Sequence, residues 1–297
     1  MKPKKNVVIT GSSGFIGSKL VKCFEDNGWL VHRFPSISHE ISLINDVVDN
    51  FFSALNDKVD LIVHCAGVLN SKFPEQFVID SNVNFTTVLA ANYLSRNPNG
   101  HFIFLSSFSV FEASEQVINS NSLSAPSSLY GISKMLAEEA LYELTKMHPS
   151  ASILSLRPPV VFGSGHKSFL RFIDIFVERG FPLPLKGFDI KRAMVSLEDL
   201  ANFIVEMSSG LQVGFNVMVP PCSNLSIAQY LYKANHTSKR HFYLFWVPSV
   251  LFKILFFISN RPEMYRSLSK PVSVAVEGKP FHVISRSVFT KLSGAKQ

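Results

Sequence analysis

"NVVITGSSGFIGSKLVKCFEDNG", residues 6–28, is a β-branched run cut off by glycine and followed by apolar positions at helical spacing. The run predicts a buried strand over 6–10, and the second half a helix over 18–28 closed by Gly28. Between them Gly11, Gly14 and Gly17 remove side chains, so that backbone N–H groups and a helix N-terminus can approach a diphosphate. The spacing is G-x-x-G-x-x-G, and by itself it would serve equally as a tight turn. Its place between a first strand and a first helix is what points to a dinucleotide.

The alternation continues along the chain. "LVHRF" (30–34), "VDLIVHCAG" (59–67), "HFIFLSS" (101–107) and "SILSLRP" (152–158) read as strands. Helices are expected through 46–55, through 82–94 and after Tyr130. Short strand–helix connections call for a parallel sheet covered by helices on both faces, an α/β doubly wound fold of the Rossmann kind. After residue 158 the rhythm breaks, and 194–210 looks like a late strand and helix. This divides the chain into a dinucleotide-binding domain over 1–162, rejoined by about 193–214, and a smaller C-terminal α+β substrate lobe over 163–192 and 215–297.

The composition sets limits. Of 297 residues 46% are apolar, 27 are phenylalanine and only 17% are charged, which supports a sizeable core and argues against a disordered chain. The net charge of +7 favours anions, yet no basic run is interleaved with aromatics, so nucleic acid is not expected as a partner. Three scattered cysteines without a ligand motif fit reduced thiols in a cytoplasmic protein and offer no metal site. The basic N-terminus precedes only four apolar residues, hence a strand and not a signal peptide. "FYLFWVPSVLFKILFFI" (242–258) is short of a bilayer span and holds Pro248 and Lys253; it leaves room for a peripheral membrane contact.

The chemistry collects at the carboxyl ends of the strands. An acidic residue is expected near the end of the second strand to hold the adenosine ribose, but "VHRFPSIS" has none. Arg33, Ser36 and Ser38 offer positive charge and hydroxyls instead, which favours NADP(H) over NAD(H). Ser106 and Ser107 end a strand where ligands bind in such sheets. Tyr130 and Lys134, four apart, share one helix face, and a cation there would lower the tyrosine pKa toward usefulness as an acid or base.

Together these motifs resemble the extended short-chain dehydrogenase/reductase family, the nucleotide-sugar epimerases, reductases and dehydratases. "TGSSGFIG" is similar to its glycine motif, which implies cofactor contacts at Gly11, Ser13, Gly14, Phe15, Ile16 and Gly17. "HCAG" resembles the segment lining the cofactor, which implies Cys65, Ala66 and Gly67. "NVNFTTVLAA" resembles the Asn-Val-x-Gly-Thr helix with Phe85 in place of glycine, and its asparagine is Asn82. "SSFSVF" places the family's active serine on Ser107, "YGISK" supplies Tyr130 and Lys134, and "RPPVVFG" leads from Arg157 into the substrate lobe.

The resemblance implies a hydride passing between nicotinamide and a sugar carbon, usually C4, while Tyr130 moves the hydroxyl proton. Ser107 would hold the C4 oxygen, Lys134 the nicotinamide ribose, and Asn82 would support Lys134. Phe108 and Ser109 stand where dehydratases carry Asp-Glu, so dehydration is not expected. The nearest branch resembles bacterial enzymes that reduce or epimerise UDP-linked N-acetylamino sugars, in which Phe108, Arg157, His166, Lys167 and Arg192 would border substrate, in a homodimer. A 4-keto reductase in polysaccharide synthesis is favoured; a 4-epimerase retaining NAD is the alternative, and a dinucleotide-binding regulator without turnover a more distant one.

Overall fold

Four of the five residues of β1 (Asn6–Thr10) are fully buried, because the strand has a neighbour on each side and helices on both faces. The computed structural model describes residues 4–36, 43–55, 57–69, 73–111, 117–163, 190–227 and 272–283, with 165, 175, 183–186, 229–230 and 244–246. From β1 the chain turns into α1 (Phe15–Asp26) and returns in β2 (Leu30–Arg33), parallel to β1. α2 (Ile44–Ala54) then crosses to the other side, where β3 (Leu61–His64) pairs with β1. α3 (Glu75–Ile79), one π-helical turn (Asp80–Asn84) and α4 (Phe85–Arg96) lead without a break to β4 (His101–Leu105).

A 3₁₀ turn (Phe108–Val110) and β5 (Val117–Ile118) precede α5 (Leu129–Met147) and β6 (Ser152–Leu156). β7 (Val160–Phe162), β8 (Leu183–Lys186), β9 (Arg192–Ser196), α6 (Leu197–Met207) and β10 (Gly214–Val219) follow. Last come β11 (Ser223–Leu225), β12 (Leu244–Trp246), β13 (Ser273–Val274) and β14 (Phe281–His282). The main sheet has the order β14-β10-β6-β4-β3-β1-β2, parallel except for β14. The winding reverses at β1, so the crevice for a ligand lies beyond the carboxyl ends of β1 and β3.

Strand residues alternate between two cores. Val7, Ile9, Val63, Ile103 and Leu154 pack with Leu20 and Phe24 of α1 and Leu200 and Ile204 of α6. Val8, Ile62, Phe102, Phe104 and Ile153 pack with Val48 and Phe52 of α2, Leu89 and Tyr93 of α4, and Leu141 of α5. This is the period-two division that a doubly covered parallel sheet requires.

The second lobe was expected to begin at 215, but β10 runs from 214 to 219 beside β6. "FNVMV" is too short to be told from a lobe strand by pattern; its hydrogen-bonded neighbour decides its place. Outside the main sheet lie a three-stranded sheet β11-β9-β7 and the pairs β12-β8 and β13-β5. Ser38, His166, Lys167 and most of 242–258 lie outside the described residues, among which no helix is long and apolar enough to cross a membrane.

Candidate active site at the β1–β3 crevice

The turn after β1 is built around two glycines. Gly11 has φ +61°, and its carbonyl accepts from Gly14 N at 2.9 Å. A Cβ on Gly17 would stand 2.1 Å from that carbonyl, and one on Gly11 would stand 2.9 Å from Ala66 N. Only backbone fits, so α1 starts tight against the ends of β1 and β3. Gly14 is its N-cap, with no side chain accepting from the first turn and no acidic residue there. Those N–H groups and the helix dipole suit a diphosphate. Ser13 and Gly14 lie exposed at the rim, with Phe15 and Ile16 half-buried behind them.

Beneath the turn runs a buried polar chain that the sequence reading missed. Thr86 Oγ donates to Asn82 O at 2.7 Å, so toward His64 it can only accept, and His64 Nε2–H donates to it at 2.9 Å. His64 Nδ1 must then accept from Thr10 Oγ at 2.7 Å. Thr10 Oγ in turn accepts from Cys65 N and Ala66 N, at 3.2 and 3.1 Å. Full burial holds His64 neutral, well below the usual imidazole range. Phe104 stacks on its ring, and Phe85, in the position of the family's glycine, meets it edge-on at 5.0 Å. Burial likewise pushes the Cys65 thiol up to about 12.

Asn82, fully buried in the π turn, clamps the loop after β3. Its Oδ1 accepts from Val68 N at 2.7 Å, and its Nδ2 donates to Val68 O and Ser133 Oγ, both at 2.9 Å. Ser133 donates onward to Tyr130 O at 2.8 Å. The clamp thus ties the crevice loop to the first turn of α5. A Cβ on Gly67 would stand 3.1 Å from both Asn82 Oδ1 and Lys134 Nζ, so these two groups face one slot.

α5 is seated by its own N-terminus. Ser128 Oγ caps it by accepting from Gly131 N at 3.0 Å. A Cβ on Gly131 would stand 2.2 Å from Ser109 O, so the helix presses directly on the 3₁₀ turn. That contact sets Tyr130 beside Ser107, whose hydroxyl lowers the phenol's pKa and itself donates to Ser109 Oγ at 3.1 Å. Lys134 is 3% exposed, donates from Nζ to Leu105 O at 2.9 Å, and lies 4.6 Å over the Phe104 ring and 5.9 Å from that of Tyr130. Ser107, Tyr130, Lys134 and Asn82 therefore meet at one place.

The electrostatics differ from expectation on one point. Burial raises the Tyr130 pKa to about 12, and the Ser107 hydroxyl pulls it down only in part. Burial drives Lys134 itself down to about 8, against the opposing pull of Cys65 and Glu138. Desolvation outweighs the cation in this protein, and Tyr130 is a neutral phenol at physiological pH.

Arg157, expected at the substrate, is 1% exposed and bonded through Nε and Nη2 to both carboxylate oxygens of Glu138. Its burial makes it a tie between β6 and α5. Arg33 and Ser36 are exposed at the end of β2, with Arg33 3.2 Å from Glu25. Phe108 is half-buried against Phe111. Arg192 opens β9 at 8% exposure, and burial lowers it to about 10. Among the described residues no group of three or more His, Cys, Asp or Glu could hold a metal ion.

An open parallel sheet with a glycine turn at its switch point is the architecture of the dinucleotide-binding α/β proteins. Residues 7–214 match the NAD dependent epimerase/dehydratase family, and the chain belongs to it. It is 30% identical over 221 residues to a UDP-glucose 4-epimerase of Vibrio cholerae, covering 69% of this chain and 66% of that one. It is 31% identical over 169 residues, 54% and 50% of the two chains, to an N-acetyl-α-D-glucosaminyl-diphospho-ditrans,octacis-undecaprenol 4-epimerase of Escherichia coli O157:H7. The chain thus spans about half to two thirds of the length of these curated relatives. In fold it is similar to a dTDP-4-dehydrorhamnose reductase of Bacillus anthracis in complex with NADP, with TM-score 0.66, 16% identity and coverage of 83% and 86%.

Proposed function

We propose that the protein is an NAD(P)-dependent oxidoreductase acting at C4 of a UDP-linked sugar, used as a 4-keto reductase in cell-surface polysaccharide synthesis. The observation that carries the proposal is a neutral Tyr130 set beside the Ser107 hydroxyl, with the buried Lys134 ammonium on the same helix face. A phenol held protonated up to about pH 12 is in the form that reduction needs. Ser107 donates to the C4 carbonyl oxygen and orients it; Tyr130 gives that oxygen its proton; Lys134 supports the phenolate left behind.

The glycine turn, the uncapped start of α1 and the pinned Cys65 and Ala66 amides fit a dinucleotide. A bound nicotinamide cofactor supplies the hydride. NADP(H) is favoured by Arg33 and Ser36 at the end of β2, with no carboxylate in that strand. The same reading places the enzyme in the cytoplasm, as a homodimer.

The second reading is a 4-epimerase with retained NAD, favoured by the names of the two curated relatives. Purified protein is expected to be cofactor-free and to oxidise NADPH with a UDP-4-keto-6-deoxy sugar. Tightly held NAD with interconversion of UDP-hexoses and no net redox would establish the epimerase instead. Tyr130→Phe should reduce turnover at least 10³-fold while cofactor affinity stays within about threefold. Unchanged turnover would remove Tyr130 from the chemistry.

A further inference from the structure

Lys134 and Glu138 lie four residues apart on α5, the spacing at which opposite charges meet along a helix. They do not pair. Lys134 Nζ donates to Leu105 O, and the Glu138 carboxylate accepts from Arg157 Nε at 3.0 Å, Arg157 Nη2 at 2.5 Å and Ser155 Oγ at 2.8 Å. Arg157 is held in turn by Ser124 Oγ at 2.8 Å and by the Phe111 ring 4.9 Å from Cζ. Its Nη1 has no partner, and both side chains of the pair are at most 5% exposed.

We propose that Arg157 is a positioning residue: by holding Glu138 in a two-point buried ion pair, it keeps that carboxylate off Lys134 and leaves Nζ directed at the end of β4 and the reaction centre.

The groups that face Lys134 make this contest one-sided. From α5 come Tyr130 and Glu138, from the end of β3 His64 and Cys65, from β4 the Leu105 carbonyl, and from the π turn the uncharged Asn82. His64, Cys65 and Tyr130 are all neutral at physiological pH, for burial disfavours their charged forms. Glu138 is therefore the anion that could capture Lys134, and a planar guanidinium offering two parallel donors outcompetes an ammonium for it. Without Arg157, a carboxylate stranded in a buried site would recruit the nearest cation. That recruitment would pull Nζ toward the middle of the helix and away from Tyr130.

The kinetic arm rests on the proposed roles of Tyr130 and Lys134; the spectroscopic arm does not. Protein labelled with ¹³C at the lysine ε-carbon is titrated by NMR, with the Lys134 signal assigned by its loss in Lys134→Met. Arg157→Met should raise the Lys134 pKa by one unit or more, and shift the pH profile of kcat/KM in the same direction. Arg157→Lys, which keeps a charge without the two-point contact, should give a smaller shift of the same sign and covers the case in which Arg157→Met fails to fold. Adding Glu138→Leu to Arg157→Met should return Lys134 to its wild-type titration, a rescue that a merely structural tie would not produce. An unmoved Lys134 titration in folded Arg157 variants, or a double variant shifted as far as the single one, overturns the proposal. Moved titrations with no turnover on any UDP-sugar, wild type included, would overturn the functional reading and leave this one standing.

Discussion

Replacing Asn82 by alanine tests whether the crevice loop is held by one side chain. Asn82 makes three hydrogen bonds in a fully buried site, and the substitution removes all of them. A buried hydrogen bond contributes about 1 kcal/mol net, so the first figure is about 3 kcal/mol. Two features bear on it. Val68 is half-buried and regains water, and Ser133 keeps its bond to Tyr130 O, which together lower the cost. The vacated amide volume acts the other way. The expected loss is about 2–3 kcal/mol, or roughly 5–10 °C in Tm for a chain of this size. Urea unfolding measures it, provided that the slope m is unchanged. Asn82→Asp sharpens the test: it keeps the acceptor for Val68 N, loses both donors, and brings a negative charge to the slot shared with Lys134 Nζ. Its loss should be no smaller, and the Lys134 titration should move up. A loss below about 1 kcal/mol for Asn82→Ala at constant m would refute the clamp, for then the loop is held by something else.

Other outcomes follow from the same geometry. Gly17→Ala places a methyl group 2.1 Å from Gly11 O, so the turn must open; dinucleotide affinity should fall at least 100-fold, measured by fluorescence titration, with a smaller effect on folding. Lys134 titrates at about 8 when folded and at 10.5 as a free side chain, so between those values the unfolded chain binds the extra proton and stability rises with pH. The wild-type minus Lys134→Met stability difference should be flat below pH 7 and climb by about 2 kcal/mol between pH 8 and 10, before tyrosines ionise in the unfolded chain. A difference that falls over that range would reverse the sign of the burial effect. Gly131→Ala meets Ser109 O at 2.2 Å and should lower kcat more than it raises KM, because it lifts Tyr130 away from Ser107.

What was legible in the sequence were features of local spacing. The β1–glycine–α1 unit and the Tyr130–Lys134 pair follow from period and glycine placement, and Asn82 from the resemblance of its segment to a family helix. What was not legible depended on partners distant in the chain. Arg157 was expected at a ligand because its segment leads toward the lobe, yet its fate is set by Glu138, 19 positions earlier and brought opposite by the α5–β6 packing. The Thr10–His64–Thr86 chain joins residues 54 and 22 positions apart. Each of the three looks ordinary in its own segment, although a histidine inside an apolar strand that is buried on both faces was the signal that could have found it. The Tyr130 pKa was misjudged for a related reason, because spacing reports that a cation is near but not that burial has weakened both partners.

The direction of the hydrogen bonds through His64 has a consequence for how the crevice responds to acid. Each hydroxyl and each ring nitrogen in that chain has a single permitted role, so the imidazole cannot accept a proton without breaking its bond to Thr10, on which the Cys65 and Ala66 amides depend. The ring behaves as a rigid spacer with a fixed polarity and does not report pH. The floor of the crevice therefore keeps one shape through the range in which free histidines change charge, and its response to acid is delayed until the folded state itself gives way, when the released ring takes up its proton.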